Sequence, residues 1–341
     1  MRQVILTLAA LAVLGAVAGA ATIGLGLFNV SARIDHLPPV HWALHTTFEQ
    51  NVRLRAPDPA AVPATLEDPG MIRLGAGHYD SACRFCHAAP GEAQSATVRA
   101  MNPVPPHITE AAAKWQPHHL HWIIDNGVKM SGMPHWPSRA RDDDVWAVVA
   151  FLAQVPGMTA QDYDGLLPRV ADRPAGLAYC ATCHGADGRG GGNPHVPRLD
   201  IQGAPYLEAA LEAYRQGRRD SGIMHHAARA VEPALLPGLA AHFASRDPGA
   251  APAPAPPGPP GTEACRACHG PWPEPRNPLF PELAGQHAAY TATQLRLWRD
   301  GLRAASTPQE ALMKKAAHAL EDADIDAIAA WYAALPAAPD G

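Results

Sequence analysis

The chain has 341 residues, a length that predicts two or three domains, and its formal net charge of −5 is spread without long runs of one sign. This charge pattern excludes the basic surface that binding to nucleic acid or to an anionic membrane surface requires. Aromatic residues make up only 6% of the chain, which is lean for several independent side-chain cores.

The N-terminal segment, residues 1–32, predicts a membrane-spanning helix. It has no charged side chain after Arg2, and the stretch from Val4 to Phe28 is almost wholly apolar. A run of about 20 such residues is enough to cross a bilayer. Small residues between Ala16 and Ala20 also fit a signal-peptide cleavage site. Because the apolar run continues beyond Ala20, the sequence favours an uncleaved anchor, and either interpretation exports the rest of the chain.

The next segment, residues 33–69, is a proline-rich connecting segment that carries His41, Trp42 and His45. The two histidines are four residues apart, so on a helix they share a face at a spacing that also suits a metal ion. Such residues more often lie at the membrane interface, where tryptophan anchors the chain. We therefore expect a connector near the membrane surface.

A first unit is predicted at residues 70–158. Helical signals precede Cys83, and two further helices are expected at 117–126 and 142–155. In the last of these, three consecutive aspartates favour the positive N-terminal end of the helix, and apolar residues recur at helical spacing.

A second unit is predicted at residues 159–247. It has an expected helix at 205–216 and a closing helix that begins around Pro237, a first-turn proline, and runs to Phe243. A glycine-rich loop after its cysteine motif follows no strand and lacks a Gly-Lys-Ser/Thr ending, so it is not interpreted as a phosphate-binding loop.

Residues 248–261 form a Pro/Ala-rich linker, a composition that favours an extended, semi-rigid spacer. The third unit follows at residues 262–341, with helices expected at 287–300 and 322–334.

All three units contain the pattern Cys-x-x-Cys-His, and together they use every cysteine of the chain. This is the attachment signature of c-type haem: two thiols add to the vinyl groups of one porphyrin, and the histidine becomes an iron ligand. The sequence therefore predicts three haem c groups. Their attachment sites are Cys83 and Cys86, Cys180 and Cys183, and Cys265 and Cys268, with His87, His184 and His269 as the corresponding iron ligands.

Other interpretations of the cysteines fail. Disulfide pairing does not explain a histidine directly after each pair. A structural zinc site needs four ligands, usually from two separated pairs, and no motif has a second pair nearby. A thioredoxin-like site requires a βαβ context, which is absent from the sequence pattern. Because the units are small and poor in aromatic residues, each haem is expected to fill a core as well as to carry function.

The second axial ligand of each iron decides its chemistry, because a thioether raises the reduction potential and closes the iron to small molecules. Each unit has a methionine at a similar distance after its histidine: Met133, Met224 and Met313 follow by 46, 40 and 44 residues. The repeated offset favours iron ligation over simple core packing. Rival ligands remain in two units, Met130 in the first and His225 or His226 in the second.

Several other histidines have no carboxylate partner in view and are interpreted as ordinary residues: His118, His119, His121, His135, His195 and His318. The sequence contains no evident nucleophile–base pair, so no catalytic residue is assigned.

All three units resemble class I cytochrome c domains, with a helix leading into Cys-x-x-Cys-His, a proline loop, a methionine loop and a closing amphipathic helix. The first, with Asn126-Gly-Val-Lys-Met-Ser-Gly-Met-Pro134, is similar to single-domain cytochromes with a Gly-Met-Pro ligand loop. The others, with Pro-Arg-Leu or Pro-Glu-Leu-Ala-Gly-Gln before a leucine-rich helix, resemble dihaem cytochromes of the c4 type. The resemblance implies an all-α fold of three tandem class I cytochrome c domains after an N-terminal transmembrane helix.

The resemblance also implies that Pro106, Pro197 and Pro281 direct a backbone carbonyl to the second ring nitrogen of each iron-ligating histidine. It implies an electron carrier rather than an enzyme, tethered to the inner membrane with its haem domains in the periplasm. Electrons would pass between a respiratory donor and a terminal acceptor, and no nucleic acid would bind.

The expected partners are the membrane and redox proteins such as a dehydrogenase, a quinol-oxidising complex or a terminal oxidase. Two alternatives stay open. One is a cytochrome c subunit of a periplasmic alcohol, aldehyde or sugar dehydrogenase complex. The other is a haem enzyme of the peroxidase type, which needs an open iron.

Overall fold

The computed structural model describes residues 1–168, 170–245, 256–270 and 277–337 of the chain. Within these ranges the regular structure is helical, with α-helices and short 3-10 turns and no strand. The all-α fold expected from the sequence is therefore confirmed. Most of the Pro/Ala-rich linker lies outside the described residues, so its extended form stays a prediction.

Two helices precede the cysteine motifs. Helix α1 (Arg2–Gly24) has no buried residue and, among the described residues, is the one helix long and apolar enough to cross a membrane, a property that signal sequences share. Helix α2 (Pro38–Arg55) occupies much of the expected connector. Its prolines lie in the first turn, where the missing N–H costs no hydrogen bond, so the proline-rich sequence begins a helix here. His41 and His45 stack on it, with ring centroids 6.0 Å apart.

The first unit is built from α3 (Pro69–Ala82), α4 (Arg84–His87), α5 (Ala96–Arg99), α6 (Ile108–Lys114), α7 (Pro117–Asn126), α8 (Asp142–Gln154) and α9 (Ala160–Leu166). The helices expected at 117–126 and 142–155 are confirmed to within one residue. Asp68 caps α3, since its side chain accepts hydrogen bonds from the N–H groups of Gly70 and Met71.

Helix α3 crosses α8 so closely that glycine is required at position 75. A Cβ atom on Gly75 would lie 2.0 Å from the carbonyl oxygen of Ala147, far inside van der Waals contact. Tyr79, Val148 and Phe151 pack around the crossing with almost no exposed surface. The crossing therefore fixes the direction in which α3 leads to the first cysteine motif.

Helix α9 packs against the core of the first unit, although residues from 159 onward were predicted to belong to the second unit. Tyr163 is 2% exposed, lies among the side chains of the first core, and donates a hydrogen bond from its hydroxyl to Asp80 at 2.9 Å. A capping box of Thr159 and Asp162 begins the helix. A division at residue 158 would separate Tyr163 from the core in which it is buried.

The second unit contains α10 (Leu177–His184), α11 (Ala204–Arg215), α12 (Gly222–Ala230) and α13 (Leu236–Ala244). The third contains α14 (Thr262–His269), α15 (Ala288–Arg299), α16 (Pro308–Ala317) and α17 (Asp322–Ala334). The pairs α11 with α13 and α15 with α17 pack together and supply most of the two cores. The helices expected at 205–216, 287–300 and 322–334 are confirmed to within one residue at each end, and α12 and α16 are additions.

The second and third units are joined by two glutamines, each of which binds the backbone of the other unit. Gln202 donates to the carbonyl oxygen of Glu282 at 2.8 Å and accepts from its N–H at 3.0 Å. Gln286 donates to the carbonyl oxygen of Arg198 at 3.0 Å and accepts from its N–H at 2.8 Å. Each glutamine thus satisfies both backbone groups of a loop residue in the other unit, which fixes the relative position of the two loops.

The first and second units meet through polar contacts around the start of α3. Asn193 donates to the carbonyl oxygen of Gly70 at 2.8 Å, and His195 Nε2 lies 2.9 Å from the Asp68 carboxylate. The interpretation of His195 as a residue without a carboxylate partner was wrong, because the partner is distant in sequence and comes from the other unit.

The close crossing of α3 and α8 predicts that a methyl group added at position 75 lowers stability. Gly75→Ala should destabilise the first unit by about 3 kcal/mol, since neither helix backbone can move away without opening the core. Urea unfolding followed by circular dichroism measures this. The matched control is Gly165→Ala in α9, where a Cβ would meet nothing within 4 Å. It should be neutral or stabilise the helix by about 1 kcal/mol, and equal stability of the two variants would contradict the crossing.

Candidate functional site

Each cysteine motif lies on one helical turn at the end of a helix. In the first unit Cys83 ends α3, and α4 continues from it through Cys86 to His87. In the other units the whole motif closes α10 and α14, which end at His184 and His269. None of the six cysteines forms a disulfide. One turn therefore presents two thiols and an imidazole side by side, as covalent attachment of a porphyrin requires.

Each motif histidine is held through Nδ1 by a backbone carbonyl. The distances from Nδ1 to the carbonyl oxygen are 2.8 Å from His87 to Pro106, 3.3 Å from His184 to Pro197 and 2.9 Å from His269 to Pro281. Because a carbonyl oxygen only accepts, Nδ1 carries the proton, and Nε2 is left as the free ligand atom. The contacts expected from the three prolines are confirmed.

Burial keeps these groups neutral. It lowers the pKa of His184 to about 4, and it lowers the pKa of His87 and of His269 as well. Burial also raises the pKa of Cys180 and of Cys183 to about 11. Neutral imidazole is the form that binds a metal ion, whereas a protonated thiol does not. Each motif histidine is therefore in the protonation state in which it can bind a metal ion.

A mostly apolar cavity of about 930 Å³ joins the motifs of the second and third units. Both motifs and both candidate methionine ligands line it: Cys180, Cys183, His184 and Met224 from the second unit, and Cys265, Cys268, His269 and Met313 from the third. A space of this size and character is typical of a site for a large apolar group.

The candidate methionine ligands of these two units lie on helices, not on the loops that the family resemblance implies. Met224 is the third residue of α12, and its N–H donates to the side chain of the N-cap residue Ser221 at 3.1 Å. Met313 lies on α16, whose N-terminus is closed by a capping box of Thr307 and Glu310. The pattern Thr-x-x-Glu is visible in the sequence and would have predicted α16.

The two alternative ligands of the second unit, His225 and His226, make contacts outside the shared cavity. His225 Nδ1 lies 2.9 Å from the carbonyl oxygen of Tyr214, and the His226 ring lies 5.8 Å from the ring of His78. Neither histidine lines the cavity, whereas Met224 does.

In the first unit the candidate ligand lies on a loop closed by its own backbone. The Met133 carbonyl oxygen accepts from Val128 N–H at 3.1 Å, and Met133 N–H donates to the Ser131 hydroxyl at 3.2 Å. Met133 is half-buried, whereas Met130 is 97% exposed and has a φ of 60°. The loop thus turns Met133 toward the protein and Met130 away from it.

Two arginines in the shared cavity lack a negative partner. Arg219 is 5% exposed and donates to the hydroxyl groups of Tyr290 at 2.9 Å and Tyr206 at 3.3 Å. Arg303 donates to Gln294 at 2.8 Å, while its Nε atom has no hydrogen-bond partner. No carboxylate pairs with either arginine among the residues that the structure describes.

Burying a cation without a counter-ion is unfavourable. A group that brings carboxylates into this cavity would balance both arginines, and haem carries two propionate carboxylates. The donor set on the walls therefore fits haem. The sequence analysis did not single out Arg219 or Arg303, although each lies five residues after an aromatic residue, Tyr214 or Trp298, in the pattern aromatic-Arg-x-Gly-x-Arg.

One further histidine has a carboxylate partner that the sequence did not reveal. His121 Nε2 lies 2.6 Å from the Asp142 carboxylate, and its ring stacks on Trp146 at 4.2 Å. Its interpretation as a residue without such a partner was wrong, since α7 and α8 bring the two together only on folding. The contact holds the pKa of Asp142 below its usual range.

Two family models match the chain. The model described as cytochrome c oxidase, cbb3-type, subunit III matches residues 70–152, and the model described as cytochrome c matches residues 177–238 and 262–335.

Three relatives are similar to half of the chain or slightly more. The thiosulfate dehydrogenase electron acceptor of Thiomonas intermedia is 33% identical over 50% of this chain and 84% of that protein. The protein of the same description from Stutzerimonas stutzeri is 33% identical over 55% of this chain and 94% of its own length. Cytochrome c4 of Pseudomonas aeruginosa is 33% identical over 50% of this chain and 92% of that protein.

The identity to these relatives extends over most of their length, and the matched models include the residues that carry each cysteine motif. Cytochrome c4 relatives are electron carriers, which agrees with the expected role of this chain as an electron carrier rather than an enzyme. The chain thus belongs to the class I cytochromes c, as a multi-haem member that transfers electrons between a donor and an acceptor through haem c.

Proposed function

We propose that the chain binds three haem c groups and passes single electrons along them. The thioether links would form at Cys83 and Cys86, at Cys180 and Cys183, and at Cys265 and Cys268. The axial ligand pairs would be His87 with Met133, His184 with Met224, and His269 with Met313. The observation that carries this proposal is the repeated turn of two thiols and a histidine whose Nδ1 is already bonded to a carbonyl.

The chain's own residues determine what happens at each site. When bound, haem c supplies an iron that takes up and releases one electron at a time. The bond from Nδ1 to the proline carbonyl orients the imidazole and raises its basicity. Each methionine thioether would serve as the second iron ligand, which would keep small molecules from the metal and favour the reduced state. Arg219 and Arg303 would hold the propionate carboxylates in the shared cavity.

We infer that the second site lies between the first and the third. On one side α3 packs on α10 so closely that a Cβ on Gly77 would lie 3.1 Å from Cys183 Sγ. On the other side the second and third sites share one cavity. This arrangement supports a route in which every electron that crosses the chain passes through the second unit.

We propose a division into an anchor at 1–32, a connector at 33–69, a first domain extended through Leu167 to include α9, a second domain to residue 247, the linker at 248–261, and a third domain from 262. Helix α1 is compatible with a membrane anchor that holds the haem domains in the periplasm at the inner membrane. The membrane and one redox protein on each side of the chain would be the partners. A role as the cytochrome subunit of a dehydrogenase complex stays open.

The first prediction from this proposal concerns stoichiometry and ligation. The mature protein should carry three haems per chain in a pyridine haemochrome assay. The oxidised protein should show a near-infrared sulfur-to-iron band, of which Met133→Ala, Met224→Ala or Met313→Ala each removes about one third. Met130→Ala is the matched control and should leave the band intact. Two haems per chain with free thiols, or strong carbon monoxide binding by the unmodified protein, would contradict the proposal.

A second prediction concerns the buried cation. Arg219→Gln should lower the reduction potential of one haem by on the order of tens of millivolts, because a nearby positive charge disfavours the oxidised, more positive iron. Arg215→Gln removes the same charge from a residue that pairs with Glu212 and does not line the cavity. A spectroelectrochemical titration compares the two variants, and equal shifts would exclude a specific role for Arg219.

The relatives favour a more specific electron donor. Two of them are described as electron acceptors of thiosulfate dehydrogenase, so we propose an oxidoreductase of an inorganic sulfur compound as the donor. Stopped-flow mixing with a thiosulfate dehydrogenase should reduce the chain quickly when thiosulfate is present and not when it is omitted. Faster reduction by an alcohol, aldehyde or sugar dehydrogenase would favour the alternative complex instead.

A further inference from the structure

A carboxylate of the first unit binds the start of the helix that carries Met224. Asp144 Oδ2 accepts from the Ser221 hydroxyl at 3.0 Å and from Gly222 N–H at 2.9 Å. Asp144 belongs to α8, more than seventy residues earlier in the chain, and is only 4% exposed. Both bonds to an ionised acceptor are of the strong, charge-assisted kind.

Arg141 completes this contact from the same unit. It donates to Asp144 Oδ1 at 2.6 Å and to the carbonyl oxygen of Asp220 at 3.3 Å, and it is 9% exposed. The buried carboxylate is therefore paired, as a charge at this depth requires. Together Arg141 and Asp144 bind three consecutive residues, 220 to 222, of the second unit.

The bound residues lead directly to the candidate ligand. The Ser221 hydroxyl accepts from Met224 N–H at 3.1 Å while it donates to Asp144, so one side chain links the carboxylate to the backbone of Met224. This is an N-cap, the contact that fixes the first turn of a helix. Met224 lies in that first turn, so its position depends on where Ser221 is held.

An indole ring of the first unit covers the same turn. A Cβ on Gly222 would lie 2.2 Å from Trp136 Nε1, so only glycine permits this contact. Trp136 is 5% exposed and lies three residues after Met133, the candidate ligand of the first site. The ring of His78 lies 4.8 Å from Trp136 and 5.8 Å from His226, two residues beyond Met224. The first unit thus contacts the chain on both sides of Met224.

We propose that the first unit is a positioning element for the second site, in which Arg141, Asp144 and Trp136 hold the start of α12 so that Met224 faces the iron. This rests on the proposed ligation by Met224 and adds that the ligation depends on contacts from another unit. The distal ligand segments of the first and second sites are then one connected structure, through Trp136 and Gly222. These three are positioning residues, because none of them would contact the iron.

The test removes the contact between Asp144 and Ser221 by changing each residue in turn in the full-length holoprotein. Asp144→Asn weakens the acceptor with little change of shape, and Ser221→Ala removes the link to Met224. Each variant should keep three haems but lose up to about one third of the near-infrared sulfur-to-iron band, since one site of three is affected. One haem should bind carbon monoxide, and its reduction potential should fall. Ser221→Thr, which keeps an N-cap hydroxyl, should restore the band.

The matched control is Thr159→Ala, which removes the N-cap of α9 and touches no candidate ligand segment. It should lower thermal stability without changing the band or carbon monoxide binding. The inference is supported if Asp144→Asn or Ser221→Ala loses up to about one third of the band while Thr159→Ala keeps all of it.

The variant Met224→Ala distinguishes failure of the proposed ligation by Met224 from failure of the positioning role. If it leaves the band unchanged, ligation by Met224 is wrong, and the inference fails with the proposed function. If it removes one third of the band while both Asp144→Asn and Ser221→Ala retain the full band, the proposed function stands and the positioning role is overturned.

Discussion

The hydrogen bond from each motif histidine to a proline carbonyl is the contact on which the rest of the arrangement depends. It fixes the plane of the imidazole and the direction of Nε2, the ring nitrogen that is left to bind a metal ion. In the second and third units the residue after this proline is bound by a glutamine of the other unit. The orientation of one imidazole is thereby connected, through loop and glutamine, to the orientation of the other.

The second unit contacts its two neighbours by different means. On one side, glutamines of the second and third units bind each other's backbone around the proline loops, Arg219 donates to Tyr290 of the third unit, and the two units share a cavity. On the other side, two carboxylates of the first unit bind the second unit: Asp68 contacts His195, and Asp144 binds the start of the helix that carries Met224. In the proposed ligation, the third unit would therefore support the histidine side of the second site, and the first unit would support its methionine side.

The sequence predicted most of what is local. The motif turns and the closing helices depend on spacing and on short-range rules, the three proline contacts were implied by the family resemblance, and the structure has all of them. Contacts between distant residues were missed: His121 with Asp142, His195 with Asp68, and Asp144 with Ser221 are joined only when helices or units pack. The helices carrying Met224 and Met313 are an intermediate case, since Ser221 and the Thr307–Glu310 box are local N-cap signals.

The central claim is that the three sites form one route through the second unit. Pulse radiolysis of the oxidised holoprotein, with less than one electron added per chain, tests it most directly. If electrons follow this route, the added electron should redistribute among the haems at a rate that does not depend on protein concentration, because every step lies within one molecule. A redistribution rate that rises in proportion to protein concentration would show that electrons move between molecules, and would contradict the account.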